Sequence, residues 1–379
     1  MSLAEYVFKT RVGLNLGRTE FANFLGLGNA GERTVRGWEE GEHVPSRKKQ
    51  DDIAVLEQYL TEKMLSAPFR YHNRQSYKFS FIDLFAGIGG IRIPFQDLGG
   101  KCVFTSEWDK FAQRTYAANF GEVASGDITK INASDIPHHD VLLGGFPCQA
   151  FSQAGLKKGF QDTRGTMFFE IARILDHHKP KAFLLENVKG LRGHDKGNTF
   201  KTIGGILNEL GYQTLESEVL NAKHFGLPQN RERIFIVGFK KNVNFQFPVP
   251  PKTTTRLGSI LQRKVADKYT ISDKLWAGAQ SRKQKHLAKG YGFGYSLFKR
   301  DAEYTSTISA RYYKDGSEIL IDQKNKNPRK LTPLEASRLQ GFPEDFIIPV
   351  SDAQAYKQFG NAVPVSVIRA VAKQMIKHF

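Results

Sequence analysis

From Lys78 onward the chain alternates short apolar runs with stretches of helical periodicity, the pattern of strands and helices in turn. Phe79-Ser80-Phe81-Ile82-Asp83-Leu84-Phe85 predicts a buried strand. It runs into Ala86-Gly87-Ile88-Gly89-Gly90 and then a helix-like segment from Ile91 to Leu98. Further strands are predicted at Lys101–Ser106, in the stretch ending at Gly126-Asp127-Ile128, and at Val141-Leu142-Leu143. Two more are expected at Pro180–Leu185 and at Ile234-Phe235-Ile236-Val237-Gly238. Helices are expected at Met167–His177 and Lys330–Phe342, with an amphipathic helix closing the chain after Phe359-Gly360-Asn361-Ala362-Val363-Pro364. The fold class that follows is α/β with a doubly wound, Rossmann-like sheet.

The first 75 residues follow another rule. Thr19 to Gly26 carries apolar residues at helical spacing and stops at a glycine, and Glu32 to Glu39 repeats the pattern after a turn. A further helix is predicted from Ile53 to Leu65, and 66–77 reads as a linker. Two short helices around a glycine-bearing turn fit a helix-turn-helix. Ala22, Val35 and Trp38 would pack its second helix, leaving Arg33, Thr34 and Arg36 to face a DNA groove. The boundaries predicted are 1–75 for this unit, 76–250 (completed by 355–379) for a catalytic domain, and 251–354 for a small irregular or β-rich domain.

Charge sharpens the division. The 379 residues carry a formal net charge of +17, which favours a polyanionic partner over a small neutral one. Between Pro251 and Lys330 there are 18 Lys/Arg against 7 Asp/Glu, whereas residues 1–75 are nearly balanced, with 11 basic and 10 acidic. The third segment is therefore expected to meet nucleic acid. Two cysteines exclude a disulfide framework. No apolar run reaches a membrane span, so a soluble cytoplasmic protein with no membrane partner is expected.

Candidate chemistry gathers at predicted strand ends. A strand, a glycine-rich turn and a helix start bring backbone amides to a ligand; the spacing is not that of a dinucleotide fingerprint. Glu107, about 20 residues after the loop, can hydrogen-bond ribose hydroxyls, with Trp108 stacking on an adenine and Asp127 reading its amino group. Gly144-Gly145-Phe146-Pro147-Cys148-Gln149 presents a thiol at a strand edge, while Cys102 reads as a small buried hydrophobe. Glu186, at the terminus of an apolar strand, can reach the same cleft. Arg231 and Arg233 suit a phosphate or a base carbonyl.

The motifs Phe81–Gly90, Glu107-Trp108, Gly126-Asp127-Ile128, Gly145–Gln149, Glu186-Asn187-Val188, Gln229–Arg233, Arg338–Pro343 and Gln358–Asn361, in that order, resemble the bacterial DNA (cytosine-5) methyltransferases. The likeness covers about Phe79 to Phe379 and leans to restriction–modification enzymes of the EcoRII and SsoII kind. It implies S-adenosylmethionine as cofactor, with no metal, and double-stranded DNA as substrate. It implies Cys148 as nucleophile toward a flipped cytosine, assisted by Glu186 and Arg233. Cofactor contacts would come from Phe85, Ala86, Gly87, Ile88, Gly89, Gly90, Glu107, Trp108, Asp127, Ile128, Pro147 and Asn361. DNA contacts would come from Gln149, Ser152, Arg231, Arg311, Tyr312 and Lys314, with a target of CCNGG or CCWGG methylated on the inner cytosine. By the same likeness, residues 1–75 repress the system's own genes through a separate operator, with a monomer methylating and a dimer fitting the operator. An RNA methyltransferase and a regulator with an inactive catalytic domain are the competing readings.

Overall fold

The computed structural model describes residues 2–14, 16–70, 76–147, 167–251, 253–291 and 294–379. They form two compact units: Met1–Arg74 with Glu107–Gly126 and Asp345–Val350, and Gln75–Ser106 with Asp127–Glu344 and Ser351–Phe379.

The first unit opens with four helices, α1 (Leu3–Gly13), α2 (Arg18–Phe24), α3 (Gly31–Glu40) and α4 (Arg47–Leu65). Their shared core is Val7, Leu16, Phe21, Ala22, Leu25, Val35, Trp38, Ile53 and Leu56. Ala22, Val35 and Trp38 thus point inward together, because they fall on the apolar stripes of α2 and α3. Glu39 accepts hydrogen bonds from Arg11 and, at 2.6 Å, from Arg18, which ties α3 to the two helices before it. After α5 (Arg92–Asp97) of the second unit, the chain contributes α6 (Lys110–Phe120) to the first. Asp109 caps α6 by accepting from the amides of Phe111 and Ala112. The Phe69 amide donates to the Asn119 carbonyl at 2.8 Å, and Asn119 brackets the backbone of Ile347 with bonds of 2.8 and 2.9 Å.

The second unit is built on six strands: β1 (Phe79–Leu84), β2 (Gly100–Ser106), β3 (Val141–Gly145), β4 (Ala182–Val188), β5 (Thr214–Asn221) and β6 (Glu232–Phe239), in spatial order β2-β1-β3-β4-β6-β5. The first four in this order are parallel, and β6 runs antiparallel to both its neighbours. The order reverses between β1 and β3, so the carboxyl ends of these two strands form the topological switch point. One face carries Ile82, Leu84, Leu142, Phe183, Leu185, Ile234 and Ile236 under α7 (Met167–His178) and α8 (Asn198–Glu209). The other carries Phe79 and Phe81, which meet Phe95 of α5 and the terminal Phe379.

The remaining elements are α9 (Asp273–Ala288), β7 (Leu297–Phe298) paired parallel to β8 (Leu320–Ile321), α10 (Pro333–Leu339), α11 (Asp352–Asn361) and α12 (Val365–Met375). Several expectations are corrected. The stretch before Gly126 is irregular, and Asp127 caps a 3-10 turn through the amide and hydroxyl of Thr129. The helix expected at 330–342 is shorter, because Pro333 opens it and Thr332 with Glu335 forms a reciprocal capping box. Strand β5 and helices α9 and α11 were not anticipated.

Candidate active site

Toward the carboxyl edge of the parallel strands lie Gly145, Glu186 and Arg233. Gly145 lies opposite Glu186 in the parallel pairing of β3 and β4. In the antiparallel pairing of β4 and β6, Glu186 lies opposite Phe235 and Val188 opposite Arg233. Glu186 and Arg233 are therefore diagonal neighbours on one face, and Nε of Arg233 donates to Glu186 at 3.0 Å. Glu186 is 8 % exposed. Burial raises its carboxyl above the ordinary value, against the pull of Arg233 and Arg231. A carboxyl so placed holds a proton more readily than one in water.

The chain leaving β3 is fixed up to Pro147. Phe146 is buried in the core, and its carbonyl accepts from the Asn187 side chain at 2.9 Å, while Asn187 Oδ1 accepts from the Val188 amide. Asn187 thus clamps the β3 exit to the β4 exit, a role the sequence reading did not assign. Cys148, Gln149 and Ser152 lie outside the described residues.

The loop after β1 turns sharply. Phe85, Gly87 and Gly89 have φ of 54°, 55° and 85°. The left-handed region is strained for phenylalanine and natural for glycine, and such strain concentrates at functional sites. Alternating signs of φ bring successive amides to one concave side, the geometry of an anion or polar-ligand cradle. A Cβ at Gly87 would meet no atom within 4 Å, so the loop opens onto space. Ala86 and Ile88 are buried, as are Gly89 and Gly90, and Gly90 packs against Val363 and Phe342. Asp127 is half-buried and Ile128 buried, while Pro147 and Asn361 are exposed. In the first unit, Glu107 is buried, with its carboxylate accepting from the Asp109 amide at 2.7 Å. Trp108 is 80 % exposed, an indole with its face available for stacking. The cradle amides of the second unit fit a polar ligand, and in the first unit Glu107 and Trp108 offer a carboxylate and an open aromatic. Among the described residues no group of His, Cys, Asp or Glu could hold a metal.

Two expected DNA contacts lie inside the protein. Arg231 is 1 % exposed, and its guanidinium donates to the carbonyls of Ile308 (3.0 Å), Gly360 (2.9 Å) and Ala362 (2.7 Å). Burial and the neighbouring Arg233 push its pKa down to about 9, which leaves it charged at neutral pH. Tyr312 is fully buried, donating to the Ile319 carbonyl and accepting from the Leu331 amide, both at 2.7 Å. Both side chains brace the 308–321 segment from within. Arg311 and Lys314, by contrast, are exposed on it. In the first unit Arg33 and Arg36 are exposed on α3, and Thr34, half-buried, donates to the Ala30 carbonyl.

The sequence matches the family model of the C-5 cytosine-specific DNA methylases across residues 79–377. The chain belongs to this family. The methylase is 58% identical over 373 residues to the type II methyltransferase M1.ScrFI of Lactococcus lactis subsp. cremoris, covering 97% of this chain and 93% of that one. It is 56% identical over 381 residues to the type II methyltransferase M.SsoII of Shigella sonnei, covering 99% and 98%. Among solved structures, the S. pombe Dnmt2 methyltransferase superposes with a TM-score of 0.64 at 19% identity, over 79% of this chain and 99% of that one. That likeness establishes the shared fold. The family's cofactor is S-adenosylmethionine, and the methylase is a DNA cytosine methyltransferase.

Proposed function

We propose that the methylase modifies carbon 5 of the inner cytosine in duplex CCNGG or CCWGG sites, protecting DNA from a cognate endonuclease. The observation that carries the chemistry is the buried Glu186–Arg233 pair, one register step from the glycine that leads into Phe146-Pro147-Cys148. Carbon 5 of cytosine is a poor nucleophile. The Cys148 thiolate adds at carbon 6, forming an S–C bond, and the displaced electron pair moves toward the ring nitrogen. Glu186 donates a proton or hydrogen bond there, which its raised pKa favours, and carbon 5 becomes enamine-like. Arg233 holds the base carbonyl and offsets the growing charge. S-adenosylmethionine, when bound, supplies an electrophilic methyl group. Loss of the carbon 5 proton then drives the electron pair back, breaks the S–C bond and frees Cys148. The base must leave the helix for its carbon 6 to be reached.

Phe85–Gly90, Asp127, Ile128, Pro147 and Asn361 of the second unit, and Glu107 and Trp108 of the first, are the residues offered to the cofactor. The exposed Arg33 and Arg36 on α3 support a second role for residues 1–75, reading an operator of the system's own genes. The test is Cys148→Ser in a host lacking other cytosine methylation. Bisulfite sequencing should find inner-cytosine marks with the unaltered chain and none with the variant. Normal marking by the variant would refute the nucleophile, and marks in another sequence context would refute the target.

A further inference from the structure

Helix α9 is unlike the others. Its sixteen residues bury only Ala279, and from Lys274 to Arg300 the chain carries seven Lys/Arg and no Asp/Glu. At 100° per residue, Lys274, Gly278, Ser281, Arg282, Lys285 and Lys289, the last just past the helix end, fall within one arc of about 100°. The cationic members of this arc are all exposed, and among the described residues Lys274, Lys285 and Lys289 carry no ion pair. The middle of the stripe holds Gly278 and Ser281, so no bulky side chain keeps a partner away. The opposite side is anchored. Lys283 lies over the Tyr295 ring at 4.3 Å and donates to its carbonyl, and Trp276 packs edge-on against the same ring at 4.7 Å. Ser296, the next residue, donates its amide to Ser317, and Arg282 pairs with Asp315 at 3.1 Å. The stripe is thereby held to the loop that exposes Arg311 and Lys314.

We propose that α9 is a phosphate rail: its stripe lies along the backbone of the substrate duplex beside the target site, and supplies affinity that is independent of base sequence. A helix of this length spans about 24 Å. Duplex DNA presents a phosphate charge about every 1.7 Å of axis, so several cations on one straight face can each release counterions. The inference rests on the reading of residues 251–354 as the DNA-facing module.

The test uses the full-length triple variant Lys274→Ala, Lys285→Ala, Lys289→Ala. Alanine keeps helix propensity at these exposed sites, and an unchanged melting temperature checks folding. Dissociation constants are measured by fluorescence anisotropy for a duplex with a CCNGG site and one without, from about 50 to about 200 mM KCl. The variant should lose affinity for both duplexes by a similar factor. Its salt slope should be shallower by about 2.7, so the penalty of raising salt shrinks about 40-fold relative to the unaltered chain. Lysine-to-arginine replacements at the same positions should keep the slope. Arg311→Ala with Lys314→Ala is the companion variant. If it weakens binding while the α9 variant keeps the full slope, the rail is overturned and the module reading stands. If neither variant changes binding to either duplex, both fall.

Discussion

At the scale of single residues, the site separates two arginines that the sequence leaves indistinguishable. Arg233 faces Glu186 across β4 and β6, while Arg231, two positions earlier, spends its guanidinium on three backbone carbonyls. Residue type and spacing give a cation at each position, but only the packed chain decides which one meets solvent. Tyr312 is misread in sequence for the same reason: an aromatic with a hydroxyl serves a base or a buried carbonyl equally well. The apolar run Phe183-Leu184-Leu185 locates strand β4 but not its end, since the strand continues through Glu186 and Asn187 to Val188. For Glu186 the raised pKa sets the sign of a pH effect. A proton donor whose pKa burial raises works at low pH and fails as pH rises through its folded pKa. Glu186→Gln keeps the shape and an N–H but cannot titrate. It should lower kcat by about 10²–10⁴ and remove that alkaline limb from the single-turnover profile. An unchanged limb would assign the titration to another group.

Elements show a different limit of periodicity. Strands β1 and β3 and helix α7 announce themselves because each has a face that must be buried. Helix α9 has no such face, so only its Ser272 cap and strong helix formers mark it. Strand β5 lies at the sheet edge, and its exposed Glu216 and Glu218 break the apolar run that marks a central strand. Helix α11 ends at Gly360 and Asn361. A Cβ on Gly360 would sit well inside van der Waals distance of the Ser309 carbonyl and the Ala310 nitrogen. These are backbone atoms and cannot swing aside. Gln340 donates to the carbonyl of Phe359, and Gln229 joins Gln340 to the amide of Ile308. The segments 229–231, 308–310, 339–340 and 359–362 thus share one buried polar network, and three of the recognised motifs exist to form it. Gly360→Ala should cost about 1–3 kcal/mol of stability through overpacking. On the proposed assignment of Asn361 to the cofactor and of Arg311 and Lys314 to DNA, it should also raise KM for both S-adenosylmethionine and DNA, since these residues adjoin the Gly360–Ser309–Ala310 contact. Retention of both constants with a normal melting temperature would show the contact to be compliant.

On the scale of the whole chain, the first unit does not end where its sequence does. Residues 107–126 and 345–350 complete it, and neither stretch differs in composition from its surroundings. The joint is specific. Phe69 stacks near Phe120 and Phe346, with ring centroids 6.0 and 6.2 Å apart, and donates its amide to Asn119. Glu20 and Arg114 add an ion pair at 2.5 Å, both partly exposed and so worth at most about 1 kcal/mol. Phe69, half-buried against Phe120 and Phe346, adds an apolar contact worth at most about 2 kcal/mol. A chain beginning at Ala67 should keep methylating its target while losing operator binding, because α1 to α4 are gone but Phe69 remains. A chain beginning at Gln75 should melt several degrees lower, because Phe120 and Phe346 lose their cover. Electrophoretic mobility shifts on the upstream DNA of the system, methylation rates and thermal melts separate the cases. Full operator affinity in the Ala67 chain would remove the regulatory role from the N-terminal helices. Equal melting of the two truncations would instead show that Phe69 closes nothing.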